Sequence, residues 1–393
     1  MKTFRILLAV SAALFTASFA FAQTWMLTSA STNINWSAVA SSADGSKLVA
    51  VVGYEGGIYT STNSGATWTQ TSAPNANWVS VASSADGTRL AAAGGGFIYT
   101  SADSGATWTT NNVPNLGWKS IASSADGTKL VASAGDGFIY TTADSGTTWV
   151  SNSIPVNSVV WVASSADGTR LVAAANSGSV FTSTNSGATW QSASGPIPPL
   201  YSVASSADGS TLVVGAHEKL FTSTDSGTTW TSYNVPHVFW GSAASSANGN
   251  KLVATAGIEV VSAYGAGCIY ISTNRGTTWT QADAPFKLWS SVVSSADGSK
   301  LVGSADPNSM RGFSGGIYTG QITPAPQLNL APTNGNFMLS WIVPSTNFVM
   351  QQSADLTSWT DVTNPPILNL TNLQNEVTLS PSNRSGFYRL KSP

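Results

Sequence analysis

The chain has 393 residues, of which 9% are charged, compared with about 25% in an ordinary soluble domain. Its formal net charge is −2, so it has no basic surface with which to attract nucleic acid or an anionic membrane. The composition therefore excludes binding to nucleic acid or to a membrane surface through charge.

The first 22 residues have the pattern of a secretory signal peptide. Lys2 and Arg5 are the basic start, an apolar run covers residues 6–21, and Ala20 and Ala22 form a small-x-small cleavage motif. No later segment is long and apolar enough to cross a bilayer. We expect the mature protein to begin near residue 23, to be secreted, and to have no transmembrane segment. Whether it stays in the periplasm, on the cell surface or in the medium is left open.

The sequence then repeats with a period of about 40 residues. The phrase SSADG, with one SSANG copy, occurs seven times. Its Asp or Asn falls at Asp44, Asp86, Asp126, Asp167, Asp208, Asn248 and Asp297. Each repeat has four short runs rich in Val, Ile, Tyr, Thr and Trp, separated by Gly, Asn, Asp and Pro, which is typical of strands and hairpins. Four-stranded repeats of this length are the size of propeller blades. The sequence therefore predicts an all-β, seven-bladed β-propeller.

An octapeptide follows the third strand of six repeats, first as STNSGATW at 61–68. Its Asn or Asp has a short acceptor side chain that can bind backbone N–H groups of a tight turn. These residues are Asn63, Asp103, Asp144, Asn185, Asp225 and Asn274. Because Asn and Asp interchange here, we expect a structural hydrogen-bonding role and no metal.

This octapeptide resembles the Asp-box, or bacterial neuraminidase repeat (BNR), of sialidases, sortilin-like receptors, xyloglucanases and photosystem II assembly factors. The resemblance implies a β-propeller in an exported bacterial protein, but no single activity, because the members of the family do unrelated things. It also implies that a sialidase would carry three arginines on the substrate carboxylate. Only Arg311 lies in a loop outside the repeated turns of the propeller, so that triad is missing.

The two ends of the repeated region complement each other. The seventh repeat stops after GGIYTG (315–320), without an octapeptide or a fourth strand, while QTWMLTSA (23–30) matches the fourth-strand text ATWTQTSA (66–73). We therefore expect the N-terminal strand to complete the seventh blade and close the ring. The predicted organisation is a signal peptide at 1–22, a propeller at 23–321, a Pro-containing linker at 322–328 and a small β-sandwich module at 329–393.

Candidate binding residues lie on the face opposite the octapeptides, where the loops of the repeats differ. An aromatic series stands eight residues before the Asp or Asn of the SSADG phrase. It comprises Trp36, Trp78, Trp118, Trp240 and Trp289, and the variable loops add Glu55, His217 and Glu218. Tryptophans at this face can stack on sugar rings or hold a peptide. The alternative is that they wedge between blades as core, which Val159 and Leu200 in the same position favour.

The sequence contains no recognisable catalytic set. His217 and His237 are the only histidines and lie 20 residues apart, which argues against a metal centre or a Ser-His-Asp triad. A glycosidase needs two carboxylates around one bond, and no spacing of acids indicates such a pair. We therefore predict a secreted, non-catalytic binding or scaffold propeller. It is expected to be a monomer without cofactor or metal that recognises a glycan or an extracellular protein. The alternative is a glycan-active hydrolase of the sialidase or xyloglucanase-like type without the arginine triad.

Overall fold

The computed structural model describes residues 22–393 except 136, 155–158, 194, 196–197, 261–262, 308–313, 324–328, 334–335, 343–348, 354–357, 359, 363–366, 370–373, 380–386 and 392–393. The described residues form strands and no helix, and among them no helix can span a membrane. Residues Gln23–Ile322 form one compact unit, and Thr323–Pro393 belong to a second. Residues 1–21 of the predicted signal peptide and most of the predicted linker lie outside the described residues.

Each of the first four repeats folds into one four-stranded antiparallel sheet in which sequence neighbours pair. The strands of repeats one and two are β2 (Trp36–Ser41), β3 (Leu48–Val52), β4 (Ile58–Ser61), β5 (Thr69–Gln70), β6 (Trp78–Ser83), β7 (Leu90–Gly94), β8 (Phe97–Ser101) and β9 (Thr109–Thr110). Those of repeats three and four are β10 (Trp118–Ser123), β11 (Leu130–Ala134), β12 (Phe138–Thr142), β13 (Val150–Ser153), β14 (Val159–Ser164), β15 (Leu171–Ala175), β16 (Val180–Ser183) and β17 (Gln191–Ala193).

The fifth and sixth repeats share one six-stranded sheet, because long strands run from one repeat unit into the next. Its strands are β18 (Leu200–Ser205), β19 (Leu212–Ser223), β20 (Thr231–Ser245), β21 (Leu252–Val260), β22 (Ala263–Ser272) and β23 (Thr280–Gln281). The seventh repeat contributes β24 (Leu288–Ser294), β25 (Lys300–Asp306) and β26 (Gly316–Thr323). The N-terminal strand β1 (Ala22–Leu27) is the fourth strand of this last sheet, beside β26.

Backbone hydrogen bonds link the turns between the first and second strands of successive repeats. In each, the alanine before the Asp or Asn donates its N–H to the carbonyl of the equivalent alanine in the next repeat, at 2.7 to 2.8 Å. The alanines are Ala43, Ala85, Ala125, Ala166, Ala207, Ala247 and Ala296, and the N–H of Ala296 returns to the carbonyl of Ala43. Backbone hydrogen bonds between these turns therefore link each sheet to the next.

The second strand of each repeat lies in the core. All five residues are buried in β3, β7, β11 and β15, as expected for runs that are apolar on both faces of a sheet. Small side chains such as Ala50, Ala92 and Ala132 are fully buried among larger ones. A strand covered on both faces needs small residues where the neighbouring sheet packs closely.

The SSADG turns are tied by the Asp side chain. In the third repeat, the Ser124 hydroxyl and the Thr128 backbone N–H donate to Asp126 Oδ1 at 2.5 and 3.0 Å. These hydrogen bonds to the charged form, led by that of Ser124, lower the pKa of Asp126 to about 2. The Lys129 ammonium donates to the Asp167 carbonyl of the next repeat at 2.9 Å, so the turn also joins neighbouring blades.

Hydrogen bonds to the Asn or Asp side chain close the octapeptide turns. In the first copy the Thr67 backbone N–H donates to Asn63 Oδ1 at 2.9 Å, and the Gly65 N–H donates to Ser61 Oγ at 2.9 Å. Equivalent bonds from the residue four positions later reach Asp103, Asp144, Asn185, Asp225 and Asn274. Gly65 has φ of +86°, which favours glycine. The Ser64 N–H also donates to the Ser46 carbonyl at 2.8 Å, so octapeptide and SSADG turns lie side by side.

We expect the protein to lose stability as the pH falls from about 4 to about 2. Hydrogen bonds within the turns lower the pKa of Asp103, Asp126 and Asp144 to about 2, below the ordinary value of about 4. A carboxylate with a lowered folded-state pKa stabilises the fold above its unfolded-state pKa, and this contribution is lost as the pH falls through the folded-state pKa. Thermal melting across this pH range measures the effect.

Asp126→Asn is the matched control for the acid effect. The variant keeps the Oδ1 acceptor, as Asn248 does in the sixth repeat, where it accepts the Asn250 N–H at 3.0 Å. It should therefore be less stable than the wild type at neutral pH, and the difference should disappear as the pH falls through about 2. A wild-type melting temperature that does not change between neutral pH and about pH 2 would contradict this account.

The C-terminal unit contains two antiparallel sheets. The first has strand order β27 (Asn329–Thr333), β28 (Asn336–Ile342), β32 (Gln374–Leu379) and β31 (Ile367–Asn369). The second has β30 (Thr360–Asp361), β29 (Val349–Ser353) and β33 (Phe387–Lys391). Leu339 and Val377 are buried partners across β28 and β32.

Candidate ligand-binding site

Four of the five tryptophans in the predicted aromatic series are core residues. Trp36, Trp78, Trp118 and Trp240 are 0 to 3% exposed. Each makes an edge-to-face contact with a tyrosine of the third strand of its repeat, with ring centroids 5.0 to 5.4 Å apart. A ring covered on both faces cannot stack on a ligand. We therefore assign these four side chains to packing between repeats and remove them from the candidate site.

Each repeat has a β-bulge at the start of its first strand. The extra residue of the bulge directly follows the position that the aromatic series occupies. In the fifth, sixth and seventh repeats the register shifts at Leu200/Ser202, Trp240/Ser242 and Trp289/Ser291. A bulge re-aims side chains locally, and the extra residues Tyr201, Gly241 and Ser290 all line one cavity. Since the SSADG turn lies at the far end of these strands, the cavity lies on the variable-loop side.

This cavity has a volume of about 410 Å³ and is the candidate site. Its aromatic walls are Trp161, Tyr201, Phe239 and Trp289, which are half-buried. Asp306, at the end of β25, lines it together with the small residues Gly241, Gly257, Ala256, Thr255 and Ser290. A second cavity, beside Trp230, has only about 50 Å³. The larger cavity is the one with room for a ligand group.

Three of the aromatic rings form a connected series. The centroids of Trp161 and Tyr201 are 6.3 Å apart with an interplanar angle of 73°. Those of Tyr201 and Phe239 are 5.3 Å apart at 75°. His217 continues the series, since its ring lies 5.3 Å from that of Phe239 at 85°. Side chains from the fourth, fifth and sixth repeats are thereby brought together at one wall.

Asp306 is the acidic group of the cavity. Its side chain is half-buried, and its Oδ1 atom is buried without a hydrogen-bond partner among the described residues. Burial, which disfavours the charged form, raises the pKa of Asp306 to about 6. A carboxyl group left without a partner inside a cavity is costly to the fold, and such groups are concentrated at functional sites.

The other predicted acids lie outside the cavity wall. His217 Nδ1 is 3.9 Å from Glu218 Oε1, and the Glu218 side chain is 69% exposed. Glu55 is exposed at the tip of the β3–β4 hairpin with φ of +61°, and its N–H donates to Asn77 Oδ1 at 2.8 Å. The structure therefore places His217 beside the aromatic series through Phe239. It does not place Glu55 among the lining residues. Arg311, which the sequence places in a loop outside the repeated turns, is outside the described residues.

The sequence does not single out Trp161, although this residue leaves a signal there, and Asp306 is one of several acids outside the repeated turns with no spacing that distinguishes it. Six repeats have a serine one or two residues after the position of the aromatic series, and the side chain of this serine forms a hydrogen bond to the neighbouring repeat. In three of them the serine hydroxyl donates to a backbone carbonyl: Ser37 to Trp78, Ser202 to Trp240 and Ser290 to Trp36. The Ser80, Ser120 and Ser242 hydroxyls accept from backbone N–H groups. In the fourth repeat these two positions hold Val160 and Trp161. The fourth repeat therefore lacks the serine that links neighbouring repeats, and the ring of Trp161 lines the cavity there.

Among the described residues, no three His, Cys, Asp or Glu side chains are grouped as metal ligands. Cys268 is half-buried, and burial raises the pKa of its thiol. The described residues of the cavity thus offer aromatic surface and one carboxyl group. This arrangement suits binding through stacking and a single charge.

Comparisons with known proteins agree with this architecture. No family model matches the chain, and no curated protein matches it in sequence. Among solved structures, YCF48 bound to D1 peptide matches with a TM-score of 0.56 and 16% identity over 77% of this chain and 97% of that one. The GH74 xyloglucanase from Xanthomonas campestris matches with a TM-score of 0.57 and 14% identity over 82% of this chain and 60% of the enzyme. The β-propeller domain of Cps50 (Swd1) from Myceliophteria thermophila matches with a TM-score of 0.59 and 13% identity over 76% of this chain and 100% of that one. At these identities the likeness shows that the chain has a β-propeller fold.

Proposed function

We propose that the protein is an exported, non-catalytic binding propeller that holds a segment of an extracellular protein or glycan in the cavity of about 410 Å³. The observation that carries this proposal is the convergence of Trp161, Tyr201 and Phe239 from three repeats on one concave surface. Apolar concave surfaces with a few polar groups are the usual form of ligand sites. The proposal includes a monomer without cofactor or metal.

The proposal includes a ring of seven Asp-box (BNR) blades closed by the N-terminal strand. Two observations support it. The alanine hydrogen bonds run through seven repeats and return from Ala296 to Ala43. The Thr28 N–H donates to the Ile317 carbonyl at 2.9 Å, beside the pairing of β1 with β26. Closure matters for function because the cavity depends on neighbouring repeats keeping a fixed geometry.

A binding function is favoured over hydrolysis by the acids present. Glycoside hydrolysis ordinarily requires two carboxyl groups on either side of the scissile bond. Asp306 is the one carboxyl group among the cavity-lining residues that the structure describes. Of the two kinds of neighbour, a protein bound to a peptide and a xyloglucanase, our proposal follows the first.

A glycan-active hydrolase is the second candidate function, and one observation favours it. The pKa of Asp306 is raised by burial to about 6, which is suitable for a general acid near neutral pH. Turnover of polysaccharides or sialosides by the wild type, abolished by Asp306→Asn, would overturn the non-catalytic proposal. We expect no turnover from either protein.

A combined glycan and peptide array tests the binding function. We expect Trp161→Ala to weaken binding of the ligand found with the wild type severalfold or more, because tryptophan is among the side chains whose truncation at the centre of a binding site typically costs about 1 kcal/mol or more. Tyr54→Ala is the matched control, since Tyr54 is 83% exposed, lies on another repeat and does not line the cavity. Equal binding by wild type and Trp161→Ala would remove the cavity from the proposed function.

A further inference from the structure

The cavity described above has a corner formed by aromatic rings. Trp161 meets Tyr201, and Tyr201 meets Phe239, at interplanar angles of 73° and 75°. Rings that meet nearly at right angles can form two adjoining walls of a cavity. Parallel rings would instead stack on one another and leave no space between them. Such a corner surrounds a compact group with π faces and ring edges on more than one side.

The polar groups of the cavity favour a ligand that donates hydrogen bonds. The Ser290 hydroxyl already donates to the Trp36 carbonyl at 2.5 Å, and Thr255 Oγ1 accepts the Ser242 N–H at 3.0 Å. Asp306 Oδ1, in contrast, is a buried acceptor with no partner among the described residues. An acceptor without a donor inside an apolar site is satisfied when the ligand brings the donor.

The charge of the cavity also favours a cation. Its described lining residues include Asp306 and no Lys, Arg or His. Lys287, next to the lining residue Leu288, is engaged elsewhere: its ammonium donates to the Ser314 carbonyl and hydroxyl at 3.1 and 2.8 Å and lies 5.7 Å from the centre of the Tyr318 ring. Among the described lining residues, an anionic ligand would therefore meet a carboxylate without a compensating cation.

We propose that this cavity binds an alkylammonium group, the end of a lysine side chain presented by a protein partner, with Trp161, Tyr201 and Phe239 as an aromatic cage and Asp306 as the counter-ion. This assignment rests on the proposed binding function and names its ligand. Aromatic faces attract a cation through their quadrupole, and the methylene stem of lysine suits apolar walls. An amino sugar carries hydroxyl groups around its ammonium, and the bonded Ser290 and Thr255 side chains are poor partners for them.

Titration calorimetry with small probes tests the assignment on the full mature chain. The probes are the capped tripeptide glycyl-lysyl-glycine, the same peptide with neutral norleucine in place of lysine, and glucosamine. We expect the lysine peptide to bind about tenfold or more tightly than the norleucine peptide, from the cation–aromatic and ion-pair terms together. Equal binding of the two peptides would overturn the assignment. Tighter binding of glucosamine than of the lysine peptide would overturn it in favour of an amino sugar.

Two pairs of variants locate the effect. Asp306→Asn should weaken the lysine peptide about tenfold and leave the norleucine peptide unchanged. Its control, Asp283→Asn, makes the same change of net charge at an exposed acid outside the cavity lining. Trp161→Ala should weaken the lysine peptide severalfold, with Tyr54→Ala as its control. Unchanged lysine affinity in Asp306→Asn, measured on a variant whose melting shows it folded, would overturn the assignment.

The failure of this inference can be told apart from the failure of the proposed function. If the lysine peptide does not bind but an array ligand binds in a manner that depends on Trp161, the binding function stands and the ammonium assignment is wrong. If neither the tripeptides nor any array ligand binds the wild type, both are wrong.

Discussion

Replacing Trp78 by alanine is expected to lower the free energy of unfolding by about 3–5 kcal/mol. Trp78 is 1% exposed and packs among Val49, Val51 and Ile58 of the preceding repeat, with its ring centroid 5.2 Å from that of Tyr99. Removal of this ring leaves a cavity between two sheets whose backbones are fixed by the alanine hydrogen bonds, so the site can collapse only partly. Urea unfolding followed by far-ultraviolet circular dichroism measures the loss without relying on tryptophan fluorescence.

Two further variants make this prediction specific. Trp78→Phe keeps an apolar ring in the site and should cost clearly less than the alanine change. Tyr54→Ala removes an aromatic residue that is 83% exposed, and its effect should stay within about 0.5 kcal/mol. If Trp78→Ala unfolded like the wild type but lost ligand binding, Trp78 would belong to the binding site and its assignment to the core would be wrong.

Replacing Asp306 by asparagine is expected to stabilise the protein above about pH 6, on the order of 1–3 kcal/mol after allowance for partial solvent screening. Burial raises the pKa of Asp306 to about 6 in the folded protein, whereas the unfolded chain has the ordinary value of about 4. The folded state therefore holds the proton more tightly, and the wild type loses stability as the pH rises from about 4 to about 6. Asparagine cannot ionise, so the variant avoids this loss.

The pH dependence is the decisive measurement for Asp306. Wild type and Asp306→Asn should have similar stability at about pH 4, where the wild-type carboxyl is protonated in the fold, and should diverge by about pH 8. Asp283→Asn, at an exposed acid, should track the wild type at both values. A stability difference between wild type and Asp306→Asn that is the same at both pH values would show that ionisation of this carboxyl is not the cause.

These two expectations separate stability from binding in one protein. Trp78 stabilises the ring and is not available to a ligand, while Asp306 destabilises the ring and is available to one. A stabilising change that removes the carboxyl should, under the ammonium proposal, also remove the affinity for the lysine probe. Such an exchange of stability for binding is usual where a site contains an unpaired buried group.

Much of the fold could be predicted from the sequence, because it depends on local chemistry repeated in phase. The turn at Asp126 closes through residues two positions away on either side, and the octapeptide turn at Asn63 closes within five residues. Both partners of such a hydrogen bond lie within a few consecutive residues, so the sequence of one turn identifies it. The repetition of these turns predicts the strands, the turns and the propeller class. The match between residues 23–30 and 66–73 likewise predicts that β1 takes the place of a fourth strand, and the sheet order agrees with this pairing.

The candidate site was predicted only in part, because its side chains come from different repeats. The aromatic series is regular in the sequence, and that regularity reflects packing between sheets, which buries Trp36 and Trp240. Of the five predicted tryptophans, Trp289 alone lines the cavity in the described structure. The direction of each ring depends on a β-bulge and on the neighbouring sheet, and neither is visible in a single repeat.

By itself, therefore, the sequence determined the repeated strands, the turn chemistry and the absence of a recognised catalytic pattern. Only the tertiary structure decided which tryptophans are core and brought Trp161, Tyr201 and Asp306 to one cavity. The physical reason is range: a turn is closed by hydrogen bonds between residues a few positions apart, whereas burial and the pKa of Asp306 depend on residues that the fold assembles from the fourth to the seventh repeat.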